Sequence, residues 1–382
     1  MRKKIITIIG ARPQIIKSSA ISRAVSTHFS ESLEEIIVHT GQHYDAGMSE
    51  VFFNEMNIPK PHHNLHVGSG SHGAQTAKMI EGLEVIFQQE KPDAVLVYGD
   101  TNSTIAGALA AAKIHIPVVH IEAGLRSFNK SMPEEINRIS CDHMSSLLFT
   151  PTATGLKNLQ REGFNLETDT KATIDSPNVY HCGDIMYDNS MYFSSISDKQ
   201  STILKENGLS VNQYILSTIH RDANTDVAEN LQQILEALLE ISESAKVKIV
   251  IPMHPRTVNK MAELLSPEFV LKLEQSENIL ILPPAGFLDI IALEKNAQMI
   301  ITDSGGLQKE AFFFQKPCII LRPQTEWIEI VENGNAILVD SDKARILEAF
   351  EYFSNSSDHT YPKFYGDGKA AEFICQKLIS DL

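Results

Sequence analysis

Short apolar runs alternate along the chain with longer stretches of helical period. In the first half the runs are Ile5–Ile9, Glu35–His39, Ala94–Tyr98, Val118–Ile121 and Leu147–Thr150. In the second half they are Tyr214–Thr218, Lys246–Ile251, Ile279–Leu282, Met299–Thr302, Cys318–Leu321 and Ala336–Val339. Each is short, rich in β-branched residues and apolar at nearly every position, the pattern of a strand buried on both faces. Between them, Gln75–Gln89, Ser103–Lys113 and Val227–Ser244 read as helices. In the last of these, Leu231, Ile234, Leu235, Leu238 and Leu239 form an apolar stripe, the face of a helix laid on a core. Strand and helix in alternation predict α/β architecture with parallel sheets covered on both sides. A poorly patterned segment, 165–210, separates the halves, and the boundary is expected near Gly183. The expectation is two doubly wound, Rossmann-like domains facing a cleft. The last helix, Ala370–Leu382, follows the turn YGDG and fits either half.

With 382 residues the chain is too long for one ordinary core and comfortable for two. Hydrophobic residues make up 43% and charged residues 21%, a globular balance. No apolar run is long enough to cross a membrane, and the start, MRKKIITIIGARP, lacks a signal-peptide pattern. The four cysteines, Cys141, Cys182, Cys318 and Cys375, have no paired spacing, which predicts neither a disulfide framework nor a zinc site. A reducing cytoplasm is the expected location. A net charge of −15 disfavours nucleic acid as a partner. Local arginines, lysines and backbone amides can still hold an anion.

Ligands on open parallel sheets sit beyond the carboxyl ends of strands, so the residues just after each run carry the chemical interest. Asp100 in YGDT and Glu122 in HIEAGLR are carboxylates at such positions; an N-cap and a loop ion pair are their structural alternatives. MPEEINR adds Glu134 and Glu135 at a helix start, where acidic residues also suit the dipole. GARPQIIK places Arg12 and Lys17 beside a helix N-terminus after the first strand, welcoming an anion; it is not GxGxxG. DSGGLQKE presents Ser304, Gly305 and Gly306 for close backbone approach to a phosphate, with Glu310 further along for ribose hydroxyls. His220 in TIHRD and His254 in PMHPR follow strands of the second half. No HxH, HExxH or clustered cysteine spacing points to a metal. Taken together, acid–base groups in the first half and an anion clamp in the second suit a phosphorylated substrate.

The order and spacing of GARPQIIKSSA, HTGQHYD, YGDTNST, HIEAGLRS, MPEEINR, PMHPR, TDSGGLQKEA and YGDG resemble the non-hydrolysing UDP-N-acetylglucosamine 2-epimerases along the whole chain. The resemblance implies the two-domain architecture shared with GT-B glycosyltransferases. It also implies that the last helix crosses back, giving domains 1–182 with 367–382 and 183–366. It implies removal of the carbon 2 proton, loss of UDP from carbon 1 to give a 2-acetamidoglucal, and re-addition with inversion at carbon 2. On this basis Asp100, Glu122, Glu134 and His220 correspond to catalytic residues. Arg12, Lys17, His254, Ser304, Gly305, Gly306 and Glu310 correspond to nucleotide-sugar contacts. The resemblance implies no redox cofactor and no metal, a UDP-sugar partner and a homodimer.

Several departures bear on the substrate. Gln14 replaces the acid of the commoner GTRPE motif, and Trp327 stands where members acting on UDP-N-acetylglucosamine usually have arginine. The loop after HIEAGLR is also shorter than theirs. These features are more like the branch acting on UDP-2,3-diacetamido-2,3-dideoxy-glucuronate. Many bacterial members are also activated by substrate at a second site near Gln42 and His43; there Asp45 would repel a diphosphate, predicting hyperbolic kinetics. A hydrolysing epimerase, a GT-B glycosyltransferase and a non-catalytic nucleotide-sugar sensor are the competing readings.

Overall fold

The computed structural model describes residues 2–42, 58–167, 171–356 and 359–382. They fall into two compact units, Met1–Asn189 with Lys363–Leu382, and Ser190–Pro362. Unit one holds seven strands: β1 (Lys3–Ile9), β2 (Leu33–His39), β3 (His63–Asn64), β4 (Ala94–Tyr98), β5 (Val118–Ile121), β6 (Leu147–Thr150) and β7 (Asn178–His181). They form one sheet in the order β3-β2-β1-β4-β5-β6-β7, every pair parallel. Unit two holds β8 (Tyr214–Thr218), β9 (Lys248–Pro252), β10 (Ile279–Leu282), β11 (Met299–Thr302), β12 (Cys318–Ile320) and β13 (Ala336–Leu338). Their order is β10-β9-β8-β11-β12-β13, again all parallel.

The unbroken apolar runs explain why both faces are covered. Alternate residues of a strand point to opposite faces. Ile6, Ile8, Val95 and Val97 accordingly enter one core with Met79, Leu83 and Phe87 of the helix His72–Glu90. Ile5, Leu96 and Tyr98 enter the other, with Ile21 of the helix Arg12–Ala24 and Ile374 and Leu378 of the helix Ala370–Asp381. Each such side chain, fully buried, stabilises by about 1.5–3 kcal/mol. In unit two the stripe Leu231, Ile234, Leu235, Leu238 and Leu239 lies on the helix Ala228–Ala245 and packs against Ile215, Ile249 and Ile301.

Some elements differ from the sequence expectation. Strands β3 and β7 are absent from it: β3 has two residues, and only Asn178 and Val179 of β7 are buried, so neither makes an apolar run. Lys246 belongs to no strand, because it ends the preceding helix in a left-handed conformation, φ 52°. The expected boundaries at 182/183 and 366/367 both fall inside unit one. The reason is a close crossing there. Gly183 and Gly366 both have positive φ, the Asp184 amide donates to the Tyr365 carbonyl at 3.0 Å, and Asp188 accepts from the Ala370 and Ala371 amides. That carboxylate caps the last helix and ties the C-terminal segment to unit one. Among the described residues no helix is long and apolar enough to cross a membrane.

The crossing makes a testable demand. A Cβ on Gly183 would lie 2.8 Å from the Tyr365 carbonyl oxygen, whereas one on Gly208, also at positive φ, meets nothing within 4 Å. Gly208→Ala should carry only the left-handed penalty, about 1–2 kcal/mol. Gly183→Ala should lower the melting temperature by at least a few degrees more, since the backbone must also shift. Equal melting temperatures for the two variants would contradict the crossing.

Candidate active site

Strand order in each sheet reverses once. In unit one the chain runs outward from β1 to β2 and β3, then returns to place β4 on the other side of β1. In unit two the same reversal lies between β8 and β11. At such a point the two following loops diverge and leave a crevice at the carboxyl ends of the strands. Gly10–Arg12 and Gly99–Asp100 border it in unit one; His220–Arg221 and Asp303–Gly305 border it in unit two. Most of the residues singled out from the sequence therefore gather at two switch points.

In unit one, Asp100 and Glu122 follow adjacent strands, and each has its own cation. Asp100 pairs with Nη1 of Arg138, and Glu122 with Nζ of Lys17. Lys17 thus faces a carboxylate. Arg138 is held from behind by Glu135, which accepts from Arg138 Nε at 3.0 Å and from the Ser127 and Phe128 amides, both at 2.9 Å. Asp100 is not the N-cap; Thr101 is, its hydroxyl accepting from the Thr104 amide. Burial raises the Asp100 carboxyl above the usual carboxylate range, against Arg138 and Lys17, with Glu122 and Glu134 adding to the rise. Glu122 takes φ 75°, because its amide and that of Ala123 both donate to the Phe149 carbonyl at 3.0 Å and turn the chain sharply. Glu134 is exposed in the first turn of the helix Pro133–Met144, while its neighbour Glu135 is buried. A cavity of about 350 Å³ is lined by Asp100, Glu134, Asn137, Gln42, His72 and Asn102.

Arg12 is exposed at the start of the helix Arg12–Ala24. Gln14, the departure from the commoner motif, is buried and fully engaged. Its Oε1 accepts from the Gly10 and Ala11 amides at 2.9 and 3.2 Å, and its Nε2 donates to the Tyr98 carbonyl and Thr104 Oγ1, both at 3.0 Å. A carboxylate there has no proton for the Tyr98 carbonyl. Gln14 therefore joins the ends of β1 and β4 without adding charge.

In unit two, Asp303 organises the crevice. Fully buried after β11, it accepts from the His220 and Arg221 amides, each at 3.0 Å, and from Asn224 Nδ2 at 3.0 Å. His220 Nδ1 lies 3.3 Å from the same carboxylate, and its ring is half exposed. That orientation directs Nε2 away from Asp303, as an acid–base histidine requires. Ser304 caps the helix Gly305–Phe313, leaving amides at its N-terminus. Arg322 Nη1 and Arg221 Nη2 stand 3.5 and 3.9 Å from where a Gly305 Cβ would be. Two guanidiniums over a helix N-terminus attract an anion; Arg322 is itself paired with Glu326, Nη1 to Oε2 at 3.2 Å and Nη2 to Oε1 at 3.1 Å. Glu310 Oε2 lies 3.9 Å from the corresponding point on Gly306. His254 stands apart after β9: its Nδ1 accepts from the Arg256 amide at 3.2 Å and caps the helix Pro255–Leu264.

Arg138, Asp303, Arg322 and Gln14 were not singled out as site residues from sequence. Arg138 and Asp303 lie within the quoted motifs MPEEINR and DSGG, so the motifs held the signal but not the pairing. His43 and Asp45 lie outside the described residues. Among the described residues no cluster of histidine, cysteine, aspartate or glutamate is arranged to hold a metal.

Comparison with known proteins bears on this arrangement. Residues 26–379 match the family UDP-N-acetylglucosamine 2-epimerase. A UDP-N-acetylglucosamine 2-epimerase homolog of Methanococcus maripaludis is 47% identical, covering 98% of this chain and 99% of the relative. The UDP-2,3-diacetamido-2,3-dideoxy-D-glucuronate 2-epimerase of Pseudomonas aeruginosa is 44% identical, with 98% and 99% covered. The crystal structure of Methanocaldococcus jannaschii UDP-GlcNAc 2-epimerase, in complex with UDP-GlcNAc and UDP, is 41% identical with a TM-score of 0.83, covering 98% of this chain and 99% of that one. On sequence and fold together, this chain belongs to the UDP-N-acetylglucosamine 2-epimerase family.

Proposed function

We propose that the protein inverts carbon 2 of a UDP-2-acetamido sugar without hydrolysing it. A base removes the carbon 2 proton, and the carbon–oxygen bond at carbon 1 breaks as UDP departs, leaving a 2-acetamidoglucal. UDP then adds back to carbon 1 while carbon 2 takes a proton on the opposite face. One observation carries the reading: Asp100 and Glu122 stand at the ends of adjacent strands, each paired with a different cation. Chemistry on both faces of a sugar ring needs two such groups held apart in proton affinity, each typically contributing about 10²–10⁴-fold. In this reading Asp100, Glu122 and Glu134 exchange protons with the sugar. His220, oriented by Asp303, assists the departing or returning UDP. Gly305, Gly306, Arg221 and Arg322 hold the diphosphate, Glu310 meets the ribose hydroxyls, and Arg12, Lys17, His254 and Ser304 complete the contacts.

Gln14 and Trp327 favour UDP-2,3-diacetamido-2,3-dideoxy-glucuronate as substrate, and the likeness to the Pseudomonas relative supports it. UDP-N-acetylglucosamine is the second reading, supported by the Methanocaldococcus complex. The four free cysteines suit a reducing cytoplasm, and the family resemblance supports a homodimer. The test is proton NMR in heavy water with each sugar. Deuterium at carbon 2 of product and remaining substrate, with the UDP-sugar intact, is the expected result; free sugar and UDP would favour hydrolysis instead.

Asp100→Asn, Glu122→Gln and Glu134→Gln should each lower turnover by at least about 100-fold, while calorimetry finds UDP affinity largely retained. Any one of them with near-normal turnover loses its assigned role. Gly305→Val tests the other half. Its Cβ would meet only ordinary contacts within the protein, so the melting temperature should hold. UDP affinity should fall by at least about tenfold, roughly 1.4 kcal/mol, because the side chain occupies the anion niche. Unchanged affinity would move the nucleotide elsewhere.

A further inference from the structure

His120 lies within β5, fully buried, and so cannot touch a substrate. Its ring is nevertheless bracketed by two acceptors. Nδ1 stands 2.6 Å from Asp142 Oδ1, and Nε2 stands 2.8 Å from the Gly99 carbonyl oxygen. A carbonyl oxygen only accepts, so Nε2 donates. The other oxygen of Asp142 accepts from the Gly124 amide at 3.1 Å and pairs with Arg126 Nη2 at 2.7 Å. Burial pushes the Asp142 carboxyl up, but His120 and Arg126 outweigh it and hold it below the usual range. With that carboxylate as acceptor, Nδ1 donates as well. Arg126 is anchored in turn by Glu162, through Nε at 2.7 Å and Nη2 at 2.6 Å.

Gly99 is the point where this chain of bonds meets the site. Its amide donates to the Ile121 carbonyl at 3.1 Å, so both sides of the residue are held. Its φ is 62°, and a Cβ there would lie 3.2 Å from both Glu122 Oε2 and Lys17 Nζ. Gly99 is thus the floor beneath the Lys17–Glu122 pair, and Asp100 is the next residue.

We propose that His120 is a positioning residue: through the Gly99 carbonyl it sets the turn that carries Asp100 and supports the Lys17–Glu122 pair, and the buried Asp142–Arg126–Glu162 chain fixes its ring. The proposal rests on the epimerase reading. It predicts that hydrogen-bond connectivity, rather than imidazole chemistry, is what turnover needs from this position. His120→Gln keeps a donor for the Gly99 carbonyl but sets its own carbonyl oxygen against the Asp142 carboxylate. Adding Asp142→Asn supplies a donor for that oxygen and leaves an acceptor for the Gly124 amide and Arg126.

The experiment measures kcat and KM of wild type, H120Q and H120Q/D142N by carbon 2 deuteration, with UDP affinity by calorimetry. H120Q should lose about 100-fold in kcat with UDP affinity unchanged. The double variant should regain at least about tenfold of that loss; a merely structural role would show instead as a matched fall and recovery of melting temperature, with kcat per folded enzyme unchanged. Wild-type turnover in H120Q, or a double variant no more active than H120Q, overturns the proposal. Should H120Q alone fail to fold, the double variant is compared with wild type. Turnover within about tenfold supports the proposal, and a loss of 100-fold or more overturns it. Absence of carbon 2 deuteration in the wild type would instead count against the epimerase reading itself.

Discussion

Two carboxylates set close together in a half-buried crevice repel each other unless each is given a counter-charge. The arrangement in unit one follows from that constraint. Asp100 draws Arg138, and Arg138 draws Glu135, whose burial is sustained by two backbone amides. Glu122 draws Lys17 from the first turns of another helix. Cations from two different helices give each carboxylate its own partner in contact, while Lys17 and Glu122 also act on Asp100 from further off. A crevice with one shared cation would leave them a coupled pair whose two protonation steps belong to neither residue alone.

The same logic recurs in unit two with fewer charges. Asp303 is wholly buried, and three backbone or amide donors make its carboxylate tolerable there. In exchange it fixes His220 and, through its carbonyl, Arg221, whose Nε donates to it at 3.1 Å. Trp327 contributes from the far side, its indole donating to the Gly305 carbonyl at 3.1 Å with Lys309 over its ring. The start of the helix Gly305–Phe313 is thus held on one side by the Trp327 indole and flanked on the other by Arg221. The proposed epimerase chemistry asks for this division: proton-exchanging carboxylates in one unit, groups that hold a diphosphate in the other.

The sequence was most legible where burial is complete. Unbroken apolar runs such as Ala94–Tyr98 mark the central strands, because a strand covered on both faces has no polar alternative. Edge strands need not obey it: β10 and β13 still show apolar runs, whereas β3, only two residues long, and β7, buried only at Asn178 and Val179, show none. Charged residues immediately after central strands pointed to Asp100, Glu122 and His220. Their partners were not legible, because a pairing such as Arg138 with Asp100 depends on how a helix is laid across a sheet, not on local pattern. His254, also placed after a strand, uses its Nδ1 to cap its own helix, a local role that the pattern did not reveal.

The central claim is that the bond between carbon 1 and the UDP oxygen breaks and reforms during inversion. Positional isotope exchange reads this directly. Substrate carrying ¹⁸O in the bridge between the sugar and the β-phosphorus is incubated with the enzyme and followed by phosphorus NMR. If UDP departs and re-adds, the label should spread from the bridge into the non-bridging β-phosphate positions as turnover proceeds. Inversion at carbon 2 with the label still confined to the bridge would contradict the account.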